Sequence, residues 1–377
     1  MAPEAESSPS RVAALTMGVE EEFLLVDRHS RAPVGRGPRV IEAASRTLGP
    51  LVQQEFFTAQ VEVCTSPTAS PAALRAQLAG LRAEVIRAAA AEECLLLAAG
   101  TPVIPPELPL TVTRDDRYRR MASRFASVLG DYDQAVCGCH VHIGMSCRAE
   151  ALEIANRMRP WLPSLQALAA NSPFSRGEDT GHASWRAVEH ARWPTVGPAP
   201  VLDEAGYKRV ADALVRSGTV LDRRMIYWYA RPSEHVPTLE IRVADVNAGI
   251  DTVVLLALLI RGLAATLGPE AADGLPAPVL ESARLREAHR RAAAYGMEGD
   301  GLDPVSGVPV PAWALVARLR ARAAPGLAAS GDLPLVDTLL DRVRAEGTGA
   351  ALQRAAHHRR GRLSDVVDTL AETVAAA

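Results

Sequence analysis

Two cysteines and two histidines lie close together in the segment CGCHVHIGM, residues 137–145. Its β-branched and small residues predict a strand, in which alternate side chains face opposite sides. Cys137 and Cys139 then share the aliphatic face, whereas His140 and His142 lie on the other face between glycines. A C-x-C spacing is also a poor match for a structural zinc site. We therefore interpret the cysteines as core residues and the histidines as a candidate ligand site.

Charged side chains lie on one face of two further apolar segments. In GVEEEF, Glu20 and Glu22 point to one side of a predicted strand and Glu21 points to the other. In TLEIRV, Glu240 and Arg242 share the face opposite the aliphatic residues. Burying an unpaired carboxylate is costly. These glutamates therefore either lie on solvated edge strands or hold a hard cation.

A fourth apolar segment, QVEVC, carries Glu62, and Glu55 lies seven residues upstream. The two glutamates have opposite parity, so both can face one site only if a bulge or a turn lies between them. Four strands with charge or imidazole on one face favour a single sheet with a carboxylate-lined pocket. Oxygen-rich ligation with one or two imidazoles suits Mg²⁺ or Mn²⁺ better than zinc. Hard cations beside arginines are what the phosphates of ATP require.

The elements that must position these residues alternate between strands and helices. A capping serine followed by proline, Ser70-Pro71, predicts a helix that runs to about residue 93. The predicted strands cover residues 17–27, 57–66, 94–100, 137–145, 225–232 and 238–245. The other predicted elements are helices at 114–129 and 149–170, a loop at 171–181, and a mostly helical region from 248 onward with an insertion near 296–311.

Strand pairs separated by helices predict an α+β fold with a largely antiparallel sheet. We expect residues 1–14 to be a disordered tail and residues 15–377 to form a single catalytic domain. The C-terminal third of that domain is expected to be mostly helical.

The composition excludes several classes of protein. The chain has 377 residues and a net charge of −3, which gives no sign of a nucleic-acid or anionic-membrane surface. Lys208 is the only lysine, so the Gly-Lys pair of a phosphate-binding P-loop is absent. The N-terminus does not resemble a signal peptide, and the apolar run at 253–260 is about half a membrane span. We expect a soluble cytoplasmic protein with no nucleic-acid or membrane partner.

Five motifs occur in an order that resembles a known family: GVEEEFLLVD, QVEV, HVHIGM, NSPFSRGEDTGHASWR and PTLEIRVADV. Over residues 16–372 the chain resembles carboxylate–amine ligases related to type 2 glutamate–cysteine ligase. The resemblance implies a glutamine synthetase-like fold, in which a curved, mainly antiparallel sheet forms a funnel and helices pack on its outer face. It also implies that ATP and glutamate enter from opposite ends, with two or three Mg²⁺ between them.

The resemblance further implies a role for each motif residue. The implied catalytic residues are Arg242, Glu240 and Arg186. The implied metal ligands are Glu20, Glu22, Glu62, His140 and Glu240. The implied substrate-binding residues are His142, Asn171, Arg176, Arg186 and Arg231. The implied nucleotide-binding residues are Arg242 and, as a weaker candidate, Glu55.

The implied activity is ATP-dependent formation of an amide, with glutamate or another carboxylate as donor, through an acyl phosphate. Cysteine is one expected acceptor, and the resemblance implies that activity with cysteine is weak. Departures from the family pattern near the expected amine pocket bear on whether cysteine is the acceptor. His182 replaces the usual aromatic residue, and Ala294 stands where an arginine is common. Two alternatives stay open: a phosphotransferase resembling guanidino kinases, and a non-catalytic metal- or metabolite-binding protein. The sequence also leaves open whether the protein forms a homo-oligomer.

Overall fold

The computed structural model describes residues 15–376, so the tail predicted at 1–14 lies outside the described residues. The strands are β1 Met17–Asp27, β2 Val52–Gln54, β3 Gln60–Cys64, β4 Cys94–Leu97, β5 Gly138–Gly144, β6 Phe174–Ser175, β7 Glu178–Asp179, β8 Ala230–Pro232, β9 Thr238–Asp245, β10 Asp300–Leu302 and β11 Pro309–Pro311. The helices are α1 Gly37–Leu48, α2 Pro71–Ala91, α3 Asp116–Arg124, α4 Ala126–Leu129, α5 Arg148–Met158, α6 Leu162–Leu168, α7 Trp185–His190, α8 Glu204–Arg216, α9 Ile250–Ala272, α10 Ser282–Tyr295, α11 Ala312–Ser330, α12 Leu333–Glu346, α13 Gly349–Arg360 and α14 Leu363–Ala376.

Seven strands form one antiparallel sheet in the order β2-β3-β1-β5-β9-β8, and β4 pairs with the second half of β1. The register places the predicted site residues opposite one another. The facing pairs are Glu22 and Glu62, Glu20 and His140, His142 and Glu240, and Arg231 and Glu240. A slip of one residue would turn these side chains to the other face. The shared polar face therefore follows from the register.

The opposite face of the sheet is apolar and forms the main core. Val19, Val141 and Ile241 are buried there against helices that include α5, α6 and α9. Helix α9 is long and apolar enough to cross a membrane, but 78% of its most apolar window is buried inside the protein. The burial explains its composition, because a helix that is apolar on all sides suits the centre of a large core.

A buried ion pair explains why three consecutive glutamates fit into β1. Glu21 faces the core side and is fully buried, where both of its oxygens accept hydrogen bonds from Arg82 of α2. Arg82 also donates to the carbonyl oxygens of Asn247 and Ala248. The alternation predicted for Glu20, Glu21 and Glu22 is therefore satisfied on both faces.

The structure corrects several predicted elements. The helix predicted at 149–170 is divided into α5 and α6, because Pro160 in the break between them has no backbone N–H to donate. The strand predicted at 225–232 shrinks to β8, because the N–H of Tyr227 donates to Thr195 Oγ1 instead of to a strand. Helices α1 and α8 were not predicted, and β10 and β11 form a hairpin within the insertion. From Ile250 onward the described residues are mostly helical, in α9 to α14.

Candidate active site

The polar face of the sheet lines a cavity of about 210 Å³. His140 is one of the residues that line this cavity, and it is buried. Its Nδ1 is 3.2 Å from Glu20 Oε2 and 3.9 Å from Glu240 Oε1, and its Nε2 is 3.7 Å from Glu22 Oε1. Two strands, β1 and β9, thus bring three carboxylates around an imidazole of β5.

Glu20 also contacts the second histidine of β5. Its Oε1 lies 3.2 Å from His142 Nε2, while His142 Nδ1 is 2.8 Å from Thr238 Oγ1. Burial by itself raises the pKa of Glu20, but hydrogen bonds with the two imidazoles outweigh burial and hold that pKa far below its usual range. Burial likewise lowers the pKa of His142, and Glu20 more than offsets it, so the net shift is upward. Glu20 is therefore ionised.

A second group of carboxylates forms where β1 meets β3. Oxygens of Glu22, Glu55 and Glu62 lie within 4.8 Å of one another. Burial and the charge of Glu22 raise the pKa of Glu55 to about 7, and burial beside these carboxylates raises the pKa of Glu62 well above its usual range. A turn between β2 and β3 lets Glu55 and Glu62 face the same cavity, which is the condition that their opposite parity imposed.

The donor set fits hard divalent cations. Three overlapping groups each offer three ligand atoms within 4.8 Å: Glu20, His142 and Glu240; Glu20, Glu62 and Cys64; and Glu22, Glu55 and Glu62. Nε2 of His140 is buried without a hydrogen-bond partner among the described residues. Carboxylates that raise one another's pKa lack compensating positive charge, which a bound cation supplies. His142 belongs to one of these groups, whereas His140 lies beside them.

Two arginines balance the carboxylate of Glu240. Arg242 donates to Glu240 Oε1, and Arg231 Nε donates to Glu240 Oε2 at 3.1 Å. Burial raises the pKa of Glu240, but the two guanidinium groups outweigh burial and hold it low. Arg242 Nη1 also lies 3.4 Å from His140 Nδ1, and its Nε has no partner among the described residues. The guanidinium of Arg242 is thus fixed on one side only.

A third arginine reaches the cavity from α7 and passes close to β5. A side-chain carbon at Gly138 would lie 2.3 Å from Arg186 Nη2, so a larger residue at that point of the CGCHVHIGM segment would displace the guanidinium. Arg186 is buried, and its Nη1 is 3.9 Å from Asp245 Oδ1 at the end of β9. Gly138, the first glycine of the motif, therefore leaves space for the guanidinium of Arg186.

Asp245 connects the loop after α6 to the sheet. Its carboxylate accepts hydrogen bonds from the backbone N–H of Asn171 at 2.8 Å, Ser172 Oγ at 2.7 Å and Ser184 Oγ at 2.8 Å. Burial raises the pKa of Asp245, an effect that Arg186 opposes. Although PTLEIRVADV includes Asp245, its part in the site was not predicted.

A family comparison identifies the chain. The model of glutamate–cysteine ligase family 2 matches residues 16–369. The chain belongs to this family. A relative from Salinispora arenicola, provisionally named glutamate–cysteine ligase 2, is 45% identical over 345 residues, which cover 91% of this chain and 90% of the relative. A relative from Salinispora tropica with the same provisional name is 43% identical over 94% of this chain and 93% of its own. The protein is an ATP-dependent ligase that forms C–N bonds, as predicted.

Solved ligases share the fold at low sequence identity. A bifunctional glutathione synthetase from Pasteurella multocida has a TM-score of 0.73 and 16% identity; the match covers 96% of this chain and 52% of the other, so this ligase spans about half of that protein. A glutamate–cysteine ligase from Francisella tularensis, solved in complex with AMP, has a TM-score of 0.70 and 12% identity, over 97% of this chain and 90% of the other. The likeness confirms the predicted α+β, glutamine synthetase-like fold.

The ligase does not bring Asn171 and Arg176 into the cavity. Asn171 is fully buried, and its amide donates to the carbonyl oxygens of Ala98 at 2.8 Å and Val246 at 2.7 Å. Arg176 is exposed, and its Nε lies 2.7 Å from Asp133. Neither residue is therefore placed to contact substrate as predicted. Asn171 instead holds its loop in place, and Arg176 forms a surface ion pair.

The cavity also contains residues that the strand pattern could not reveal. They are Arg117, Tyr118, Glu189, His190 and Trp193. Burial, with Arg186 and Arg242 nearby, holds the pKa of His190 well below its usual range. Most of these residues lie on α3, on α7 and in loops, where no period-2 alternation marks a buried polar face. Cys64, at the end of β3, was also missed because a lone cysteine at a strand end carries no signal.

Proposed function

We propose that the ligase joins the carboxylate of glutamate to an amine through an acyl phosphate made with ATP. The observation that carries this proposal is the cluster of Glu20, Glu22, Glu55, Glu62 and Glu240 beside buried arginines. Overlapping oxygen-rich groups next to guanidinium groups suit divalent cations on ATP phosphates. The names of the relatives support glutamate as donor and cysteine as one acceptor.

We propose that the three donor groups hold Mg²⁺, for which Mn²⁺ can substitute. When bound, these cations would neutralise charge on the phosphate oxygens of ATP. The proposed ligands are Glu20, Glu22, Glu55, Glu62, Glu240 and the two histidines of β5. The position of His142 between Glu20 and Glu240 supports a role as ligand for it. For His140 the support is its buried, unpartnered Nε2, which lies 3.7 Å from Glu22 Oε1.

Arg242 is the proposed contact for the transferred phosphoryl group. A carboxylate is a poor electrophile because its oxygen is a poor leaving group, and phosphorylation of that oxygen removes the obstacle. Glu240 holds one side of the Arg242 guanidinium, so its charge is already oriented before the reaction. A fixed charge in a water-poor site stabilises the charge that develops during transfer. The amine then attacks the acyl carbon and phosphate leaves, so no protein nucleophile is needed.

Arg186 and Arg231 are the proposed contacts for the carboxylates of the amino-acid substrate. Both line the cavity, both are buried, and a guanidinium binds a carboxylate through two parallel hydrogen bonds. Arg186 Nε has no partner among the described residues, which leaves part of its fork available. Asp245 limits where the Arg186 guanidinium can lie.

The test is product analysis with purified protein, ATP, Mg²⁺ and glutamate against a panel of amines that includes cysteine. We expect ADP release together with a product whose mass is that of glutamate plus the amine minus water. ADP without amide would favour the phosphotransferase alternative. Folded protein that binds ATP but releases no ADP with any amine would refute the glutamate-ligase proposal. Arg242→Met is the inactive comparison, and Arg46→Met, at an exposed position of α1, is the matched active one.

A further inference from the structure

A second cavity, of about 410 Å³, lies between the start of α9 and the helices α12, α13 and α14. None of the carboxylates or arginines proposed for catalysis lines it. Its volume is within the usual range of small-molecule sites.

One wall of the second cavity is the N-terminus of α9. This helix begins after Gly249 and has no side-chain cap, and Ile250, Asp251 and Thr252 of its first turn line the cavity. The first N–H groups of a helix have no partner within the helix and carry partial positive charge. Arg75 and Arg342 line the same wall, where both form ion pairs with Asp251. This wall suits a carboxylate.

A buried acceptor lines the second cavity as well. Gln353 of α13 is 1% exposed, and its Nε2 donates to Asn171 Oδ1 at 2.7 Å and to the Asn171 carbonyl oxygen at 2.9 Å. Because both partners are acceptors, the amide nitrogen must face Asn171 and Oε1 must point away from it. Gln353 Oε1 is buried and has no hydrogen-bond partner among the described residues. A buried acceptor of this kind calls for an N–H or O–H donor.

The remaining wall is apolar. Val343, Leu352 and Leu370 line it, and Glu346 is the one carboxylate there besides the paired Asp251 among the described lining residues. The charges of Arg75, Arg342, Asp251 and Glu346 sum to zero. A net anion or cation therefore gains little, whereas a molecule that carries both charges and an apolar side chain matches all three walls.

We propose that the second cavity binds a zwitterionic amino acid or dipeptide with an apolar side chain. Its carboxylate would lie at the first turn of α9, its amino or amide N–H would donate to Gln353 Oε1, and its side chain would pack on the apolar wall. The proposal concerns a site separate from the catalytic cavity and does not depend on which substrates the ligase joins.

A series of contacting residues connects the second cavity to the catalytic cavity. Asn171 lines the second cavity and donates from its backbone N–H to Asp245 Oδ2 at 2.8 Å. Asp245 in turn lies 3.9 Å from Arg186, the proposed contact for substrate carboxylates. A ligand that fixes Gln353 also fixes Asn171, so binding is expected to change the affinity for the carboxylate substrate. By linkage, the substrate then changes the affinity for this ligand by the same factor.

The test compares two tryptophan variants on the same helix. Thr373 of α14 lines the cavity and its hydroxyl bonds only within its own helix, so Thr373→Trp fills the space and leaves Gln353 untouched. Ala375 is exposed on α14 and does not line the cavity, so Ala375→Trp is the matched control. Equilibrium dialysis with L-leucine, L-methionine and γ-glutamyl-leucine is done without ATP, so the measurement stands even if no turnover is found.

We expect at least one probe to bind the wild-type protein and Ala375→Trp alike, and Thr373→Trp at least about tenfold more weakly. Equal binding to both variants would place the probe elsewhere and overturn the proposal, as would the absence of binding of all probes at millimolar concentration. If Thr373→Trp does not fold, Leu352→Trp replaces it, because Leu352 is 42% exposed and lines the same cavity. A bound probe that leaves the KM of the carboxylate substrate unchanged would overturn the coupling.

Discussion

Replacing Glu55 by glutamine is expected to stabilise the metal-free ligase at pH 8 while impairing it as an enzyme. Glu55 lies against Glu22 and Glu62, and burial together with Glu22 raises its pKa from 4.5 to about 7. At pH 8 the folded protein must hold this carboxylate ionised beside its neighbours. Glutamine has nearly the same shape and removes one negative charge from the cluster.

The size of the effect follows from the raised pKa of Glu55. An acid whose pKa is higher in the folded state favours folding below its unfolded pKa and loses that contribution as pH rises through the folded value. If the pKa of Glu55 rises from 4.5 to about 7 on folding, the ionised carboxylate lowers the free energy of unfolding at pH 8 by at most roughly 3 kcal/mol. Since Glu55 is only half-buried and solvent screens part of the repulsion, we expect Glu55→Gln to gain about 1–3 kcal/mol at pH 8.

Urea unfolding at pH 5 and pH 8, with and without Mg²⁺, measures this prediction. The gain at pH 8 should fall to about a quarter at pH 5, where Glu55 is protonated in the folded state but still mostly ionised in the unfolded state. Mg²⁺ should stabilise the wild-type protein more than the variant, because a ligand that binds only the folded state adds to its stability. Glu21→Gln provides the contrast on the opposite face of β1. It leaves Arg82 buried without its counter-ion and should cost about 3–5 kcal/mol, with or without Mg²⁺.

The reasoning about the carboxylate cluster is refuted if Glu55→Gln is less stable than the wild-type protein at pH 8 without Mg²⁺. A gain of equal size at pH 5 and pH 8 would also contradict it, because the effect would then not come from ionisation of Glu55.

Three other predictions concern the arginines and the buried residues around the site. Arg242→Lys keeps the charge but loses the planar fork, so turnover measured by ADP release should fall at least about 100-fold, while the melting temperature stays close to that of the wild type. Asp245→Asn should raise the KM of the carboxylate substrate, because Arg186 loses its counter-ion, and should cost about 2–4 kcal/mol in urea unfolding; an unchanged KM would contradict this role. Burial lowers the pKa of His289 to about 3, so wild-type stability should fall as pH drops below 6.5, by about 1.4 kcal/mol per pH unit from this residue. His289→Gln should remove that slope, and an unchanged slope between pH 6.5 and pH 5 would assign the pH dependence to other groups.

The strand residues of the site could be predicted because strand alternation is a local property. Parity assigns Glu20, Glu62, His140 and Glu240 each to the polar face of its own strand, and the antiparallel register then joins these faces. The same parity excludes Cys139 from that face, and the structure buries Cys139 in the core. The sequence also predicts that Glu55 can share a site with Glu62 only if a bulge or a turn lies between them, and the structure has a turn there.

The other half of the site depends on which distant segments pack together, and local pattern carries no information about that. Asn171 and Arg176 lie in one loop motif, yet the structure buries the first and exposes the second. The position of Arg186 depends on Asp245 and on the space at Gly138, which are far apart in the sequence. Strand periodicity reports which face of an element is buried, whereas only the tertiary packing decides which side chains meet there.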